Sequence, residues 1–160
     1  MPNEAARTTE LEYGITAVDT VYVRPLLDAS HLIVENGRAA FVDTGTSFAV
    51  PFLLDGLKQQ DLDVGDVDYV FLTHVHLDHA GGAGTLMQQL PNAKAVLHPR
   101  GAPHMIDPAK LIKGAEAVYG EKAFAEIYGE ITPIDEQRVV IAADDQAFSL
   151  AGRTLRAFYT

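Results

Sequence analysis

Apolar runs alternate with turn signals along most of the chain. "SHLIVENGRAAFVDTG" reads as a hairpin: His31 to Glu35 form one strand, Asn36-Gly37 the tight turn, and Arg38 to Val42 the return strand. Upstream, "ITAVDTVYVRPLLD" is apolar and β-branched but broken by Asp19 and Pro25, and residues 1–14 are expected to form a flexible arm. After "DTG", Thr46 or Ser47 is predicted to cap a helix running through Leu53, Leu54 and Leu57. "VDYVFLT" is nearly all apolar or β-branched, as in a strand covered on both faces. "GGAGTLMQQLP" predicts a helix with a glycine-rich entry that ends at Pro91, and "AKAVLHP" a short buried strand. Strand, helix, strand, helix, strand implies a layered α/β domain over 15–160. Helical patterns at Pro108 to Tyr119 and Glu121 to Tyr128 mark an insertion at about 104–131, placed where a lid would sit. Three strands follow, at Arg138 to Ala142, Ala147 to Leu150 and Thr154 to Tyr159.

Composition narrows the function. The sequence has 160 residues, 48% hydrophobic and 21% charged, enough apolar material for one domain with its own core. The formal net charge is −10, and Arg24, Arg38, Lys58, Lys94, Arg100, Lys110 and Lys113 are scattered. A nucleic-acid partner is therefore not expected, since phosphate binding needs clustered cations. There is no cysteine, which excludes disulfides, thiolate metal ligands and a cysteine nucleophile. "MPNEAARTTELEYG" has no secretory pattern, and no apolar run approaches the roughly 20 residues that span a bilayer. The expected location is cytoplasmic, with no membrane partner.

Candidate chemistry is concentrated in "THVHLDHAGG", Thr73 to Gly82. The preceding strand delivers these residues to the rim where α/β folds bind ligands. His74 and His76, two apart, can project to one side of an extended segment, while Val75 and Leu77 face the core. Asp78 and His79 follow where the chain turns into a helix. Imidazoles with a carboxylate suit zinc, iron or manganese. A lone histidine would read as a core or surface residue, but four ligand-type side chains in six positions point to a metal. Gly81 and Gly82 are expected to permit close backbone approach and unusual dihedrals. His98 ends the next strand, on the same rim, and is expected to line a pocket. His104 reads as a surface residue and His31 as a hairpin residue without a role.

"THVHLDHAGG" resembles the His-X-His-X-Asp-His signature of the metallo-β-lactamase superfamily, and "FVDTG" resembles the strand and turn upstream of it. The resemblance covers about 30–160, least typically in the helical insertion. It implies an αββα sandwich of two similar halves, present here as its N-terminal half plus the insertion, so that 15–160 would be a partial domain of this kind. It implies His74 and His76 on a first metal, Asp78 and His79 on a second, and Asp43 as a carboxylate that organises the loop without ligating. A plain turn residue before Gly45 accounts for Asp43 equally well. The implied activity is hydrolysis of an ester, thioester, lactone or amide in a small molecule by metal-activated water. Zinc is the expected ion, two per complete site, with iron or manganese as alternatives and Asp78 orienting the water. Two other readings share these residues: a binding module that keeps the fold around an incomplete site, and a mononuclear-iron dioxygenase. His76 stands where flavin-partnered redox members carry Glu.

The family pattern also requires ligands further downstream: a histidine in a Thr-Pro-Gly-His loop, a bridging aspartate and a final histidine. None is found by position before "LRAFYT". The expectation is a fragment of a longer protein with weak metal binding and little activity of its own. One sheet face would then be bare unless a second copy covered it.

Overall fold

Alternation within the apolar runs sorts side chains onto two faces of one sheet. The computed structural model describes residues 5–160. β1 (Thr8–Glu10), β2 (Ile15–Asp19), β3 (Ala29–Glu35) and β4 (Arg38–Val42) pair antiparallel in sequence order. β5 (Val67–Phe71), β6 (Lys94–Leu97) and β7 (Val139–Ile141) then add in parallel, completing seven strands. Each parallel step needs a crossover. α1 (Val50–Gln59) makes the first, α2 (Leu77–Ala80) and α3 (Ala83–Gln89) the second, and α4 (Ala102–Ile106), α5 (Ala109–Tyr119) and α6 (Glu121–Tyr128) the third.

On the outer face Leu32, Phe41, Val70, Ala95 and Leu97 meet Leu53 and Leu57 of α1, Leu86 and Met87 of α3, and Met105 of α4 in one buried cluster. On the inner face Ile33, Ala40, Tyr69, Phe71 and Val96 meet a second, two-stranded sheet of β8 (Gln146–Leu150) and β9 (Arg153–Ala157). Phe148 stands edge-on to Tyr69 and Phe71, with ring centroids 5.8 and 5.3 Å away. The expected bare inner face is therefore corrected: this hairpin covers part of it, because its own apolar residues alternate and turn Phe148 and Leu150 inward.

Other expectations also change. The arm over 1–14 is not loose at residues 8–10, where β1 pairs with β2. Ala6 is buried; its N–H donates to Asp55 Oδ2 at 2.7 Å and its carbonyl accepts from Gln59 Nε2 at 3.1 Å. Residues 1–4 lie outside the described residues. Neither Thr46 nor Ser47 caps a helix through its side chain. A 3-10 turn, Ser47–Ala49, runs straight into α1, whose first turn carries Pro51. There its missing N–H costs no hydrogen bond. The helical insertion is packed down by α6, whose Phe124 and Tyr128 form a small core with Leu77 and Ile131. No helix among the described residues is long and apolar enough to cross a membrane.

Two polar features anchor this packing. The Arg138 guanidinium donates to the carbonyls of Met87 (2.7 Å), Ala93 (2.8 Å) and Leu90, closing the C-terminal end of α3 and the loop into β6. Carbonyls at and just past a helix C-terminus lack the partners of the helix interior, and Met87 O otherwise takes only the Leu90 N–H, at a long 3.4 Å. Arg138→Ala is expected to cost about 2–3 kcal/mol, read as a lower urea midpoint with an unchanged m-value. The second feature is Tyr128. Burial first, then its neighbours Tyr22 and Tyr119, hold its phenol well above the ordinary 10.0. The unfolded chain releases that proton near pH 10 while the folded chain keeps it, so stability falls as pH rises through that range. Unfolding free energy is expected to decline above about pH 10 by up to about 1.4 kcal/mol per pH unit from this group, and Tyr128→Phe should flatten that slope.

Candidate metal centre

β4 and β5 end side by side, with Val42 opposite Phe71. The Asp43 N–H donates to Phe71 O at 2.8 Å and continues the ladder by one bond. The backbone then enters the left-handed region at Asp43, φ 59°. Few residues other than glycine do so, Asp and Asn most readily. The bend brings the carboxylate to the end of β5. Oδ1 accepts the Thr73 N–H at 2.8 Å and Oδ2 accepts the Thr73 hydroxyl at 2.7 Å. Next along the chain, Thr44 donates its N–H (2.7 Å) and hydroxyl (3.1 Å) to His79 O. Gly82 N–H then donates to Gly45 O at 2.8 Å. "DTG" thus ties both ends of the histidine loop to β4.

The glycines serve close approach alone. Gly81 and Gly82 have φ of −61° and −84°, so the unusual dihedrals expected of them are absent. A Cβ on Gly82 would lie 2.6 Å from Thr46 O, and one on Gly84 1.8 Å from Thr132 O.

Within this frame Asp43, His74 and His79 converge, with His76 and Asp78 beside them and outside that donor group. The His74 ring lies 4.7 Å from that of His76 and 4.4 Å from that of His79, centroid to centroid. His79 Nε2 is 3.7 Å from Asp78 Oδ2. Donor atoms of Asp43, His74 and His79 lie within 4.8 Å of one another. Proton accounting orients the rings. The Thr73 hydroxyl gives its one proton to Asp43, so at 2.9 Å it must accept from His74 Nδ1–H. His74 Nε2 is then a bare lone pair. His79 Nδ1 is buried without a hydrogen-bond partner, 3.3 Å from Asp43 Oδ2 and 3.8 Å from Asp28 Oδ1, which leaves Nε2 beside Asp78. Exposed imidazole nitrogens next to a carboxylate fit a divalent transition metal. Asp43, buried and with both oxygens on Thr73, is engaged in holding the loop.

The remaining histidines separate. His98 lines a cleft of about 920 Å³ that also contains Thr73, His74, His104 and Tyr159. Its Nδ1 accepts the Arg100 N–H at 3.0 Å and its ring lies 4.3 Å from that of Tyr159, so it stands beside the donor cluster and outside it. His104 is half-buried in the same cleft, where the sequence suggested a surface position. His31 sits in β3 opposite Val42. Sequence reasoning overlooked Thr44 and Asp28. The "DTG" turn offered a signal for Thr44; Asp28, at the end of the loop before β3 and far from the motif, offered none.

The paired bonds from Asp43 to Thr73 give a graded expectation. Asp43→Ala leaves the Thr73 N–H without its acceptor and puts a less tolerant residue at positive φ, costing about 2–3 kcal/mol in chemical denaturation. Asp43→Asn keeps an acceptor for that N–H and tolerates the backbone, so it should lose about half as much.

Comparisons with known proteins agree with this architecture. The chain is 30% identical over 98 residues to metallo-beta-lactamase fold-containing protein ST1585 of Sulfurisphaera tokodaii, a match covering 59% of this chain and 36% of that protein. Among solved structures it resembles MEM-A1, a subclass B3 metallo-beta-lactamase from a soil metagenome library. The TM-score is 0.71 at 19% identity, over 99% of this chain and 54% of that one. FEZ-1 metallo-beta-lactamase from Legionella gormanii gives a TM-score of 0.69 at 20% identity, over 99% and 54%. At such identities the likeness is one of fold. The chain spans about a third of the first protein and about half of the two structures. The model of the metallo-beta-lactamase superfamily matches residues 24–158, which takes in the whole histidine loop and the "DTG" turn, and the chain belongs to that superfamily.

Proposed function

We propose that this chain supplies the histidine-loop half of a metal-dependent hydrolase centre acting on an ester, thioester, lactone or amide bond of a small molecule. The observation that carries the reading is the loop Thr73–His79. The His74 ring lies 4.7 Å from that of His76, edge-on, and 4.4 Å from that of His79, tilted; the bond to Thr73 leaves His74 Nε2 free, and His79 Nε2 stands 3.7 Å from Asp78. His74 and His76 would hold one ion, and Asp78 and His79 a second, with zinc favoured by the imidazole-rich set and iron or manganese compatible with it. When bound, such an ion lowers the pKa of a coordinated water and polarises a carbonyl.

The chain's own residues do the rest. Asp43 and Thr73 hold His74 in one tautomer, and Asp78 accepts a hydrogen bond from the attacking water and orients it. The cleft beside His74, with His98 and His104 on its wall, is open to a small-molecule substrate. Zinc catalytic sites usually draw on three protein ligands. His74 and His76 are two, so the complete site needs a further ligand from beyond the loop, and activity is a property of the whole protein.

Metal uptake by the purified chain tests the reading. Equilibrium dialysis with elemental analysis should find zinc retained, and His76→Ala or His79→Ala should lower its affinity by about tenfold or more. Failure to take up zinc, cobalt, iron or manganese at any accessible concentration would sink the reading.

A further inference from the structure

Two carboxylates face the buried Nδ1 of His79, and only one has a task assigned. Asp43 Oδ2, at 3.3 Å, already accepts the Thr73 hydroxyl. Asp28 Oδ1, at 3.8 Å, accepts no hydrogen bond from the described residues, while its Oδ2 takes the Thr20 hydroxyl at 2.9 Å, which fixes the direction of the carboxylate. An uncommitted acceptor therefore stands beside an uncommitted buried donor. A buried polar group left unpaired carries a desolvation cost, so a small rotation of Asp28 that brings Oδ1 into range is favoured.

Asp28 is also held where it is by its loop. The Thr20 N–H donates to Asp28 O at 3.1 Å, alongside the hydroxyl bond to Oδ2. Asp19 accepts the N–H of Val21 at 2.9 Å and of Leu26 at 3.0 Å. Between these clasps Val21, Val23 and Leu26 take positive φ of 54°, 60° and 61°. Such backbone persists only where its surroundings over-determine it. The β2–β3 loop therefore presents one carboxylate at one fixed point, against His79.

We propose that Asp28 is a positioning residue for His79. It shares the Nδ1–H with Asp43 and keeps Nε2 as the bare nitrogen on the side of Asp78. The proposal rests on the metal reading of the centre. Metal-binding histidines generally donate their other N–H to a carboxylate, which fixes the tautomer and raises ligand basicity. Here the β2–β3 loop would be built into the centre through that bond, although it contains no ligand.

The test combines histidine nitrogen NMR of the metal-free chain with zinc titration. Wild type should show His79 as the Nδ1–H tautomer. In Asp28→Asn the side-chain amide can donate to Nδ1, so His79 should move toward the Nε2–H form, and zinc affinity should fall about tenfold. Asp28→Glu keeps the carboxylate and should keep the wild-type tautomer, which separates positioning from a loss of fold. If zinc binds the wild type but Asp28→Asn leaves both the tautomer and the affinity unchanged, the proposal is overturned while the metal reading stands. If the wild type takes up no zinc even though the tautomer responds, the metal reading fails and with it the role of Asp28 in serving a metal.

Discussion

The centre depends on one bend in the backbone. At Asp43 the chain leaves β4 in a left-handed conformation, and the carboxylate of that residue caps the end of the neighbouring strand by taking both donors of Thr73. The conformational cost of the bend is offset by two hydrogen bonds, of 2.8 and 2.7 Å, to a carboxylate that is itself buried. Everything on the rim follows from it. Thr73 is oriented, so His74 is oriented, and the same carboxylate lies beside His79. Thr44 and Gly45, the next two residues, bind the far end of the loop. Three consecutive residues thus hold a segment some thirty positions downstream.

That arrangement needs β4 and β5 parallel and in register, and the two-faced packing of the sheet ensures both. Phe41 and Val70 point to the helices, while Ala40 and Tyr69 point to the β8–β9 hairpin. A slip of one residue would exchange the faces of every side chain in the strand. Register is therefore held by hydrophobic burial, and the hydrogen bonds at the strand ends inherit their alignment from it. The glycines past the loop complete the fit by allowing backbone to touch backbone at Thr46 and Thr132.

Much of this was legible in the sequence, for physical reasons that differ by element. The β3–β4 hairpin was readable because Asn36-Gly37 can adopt positive φ at both turn positions, and it does, at 45° and 76°. β5 was readable because a strand covered on both faces carries a nearly continuous apolar run, broken here by Asp68 alone. The histidine loop was readable because its chemistry is local in sequence. What escaped notice is non-local. Arg138 reaches carbonyls about fifty positions away, and Asp28 meets His79 across a similar separation. No periodicity encodes such a contact, and an arginine at a strand edge or an aspartate after a Pro-Leu-Leu loop looks like ordinary surface. The cap expected of Thr46 or Ser47 failed for the opposite reason. Ser47 is drawn into a tertiary bond, donating to Tyr128 O at 3.0 Å, so its local preference is overridden.

The Asp43 bend has a further consequence for the assembly of the chain. β1 to β4 form by successive hairpins and need only near neighbours, whereas the rim exists only after α1 has been laid down and β5 has docked on β4. Contacts of that sequence separation carry loop-closure entropy and come late relative to hairpins. The histidines are thus sequence neighbours without fixed orientation in the unfolded chain and an oriented cluster in the folded one. Any ion that prefers the cluster must, by mass action, favour the docked strands over the open chain. Ligation and the closing of the parallel half of the sheet are two descriptions of one equilibrium.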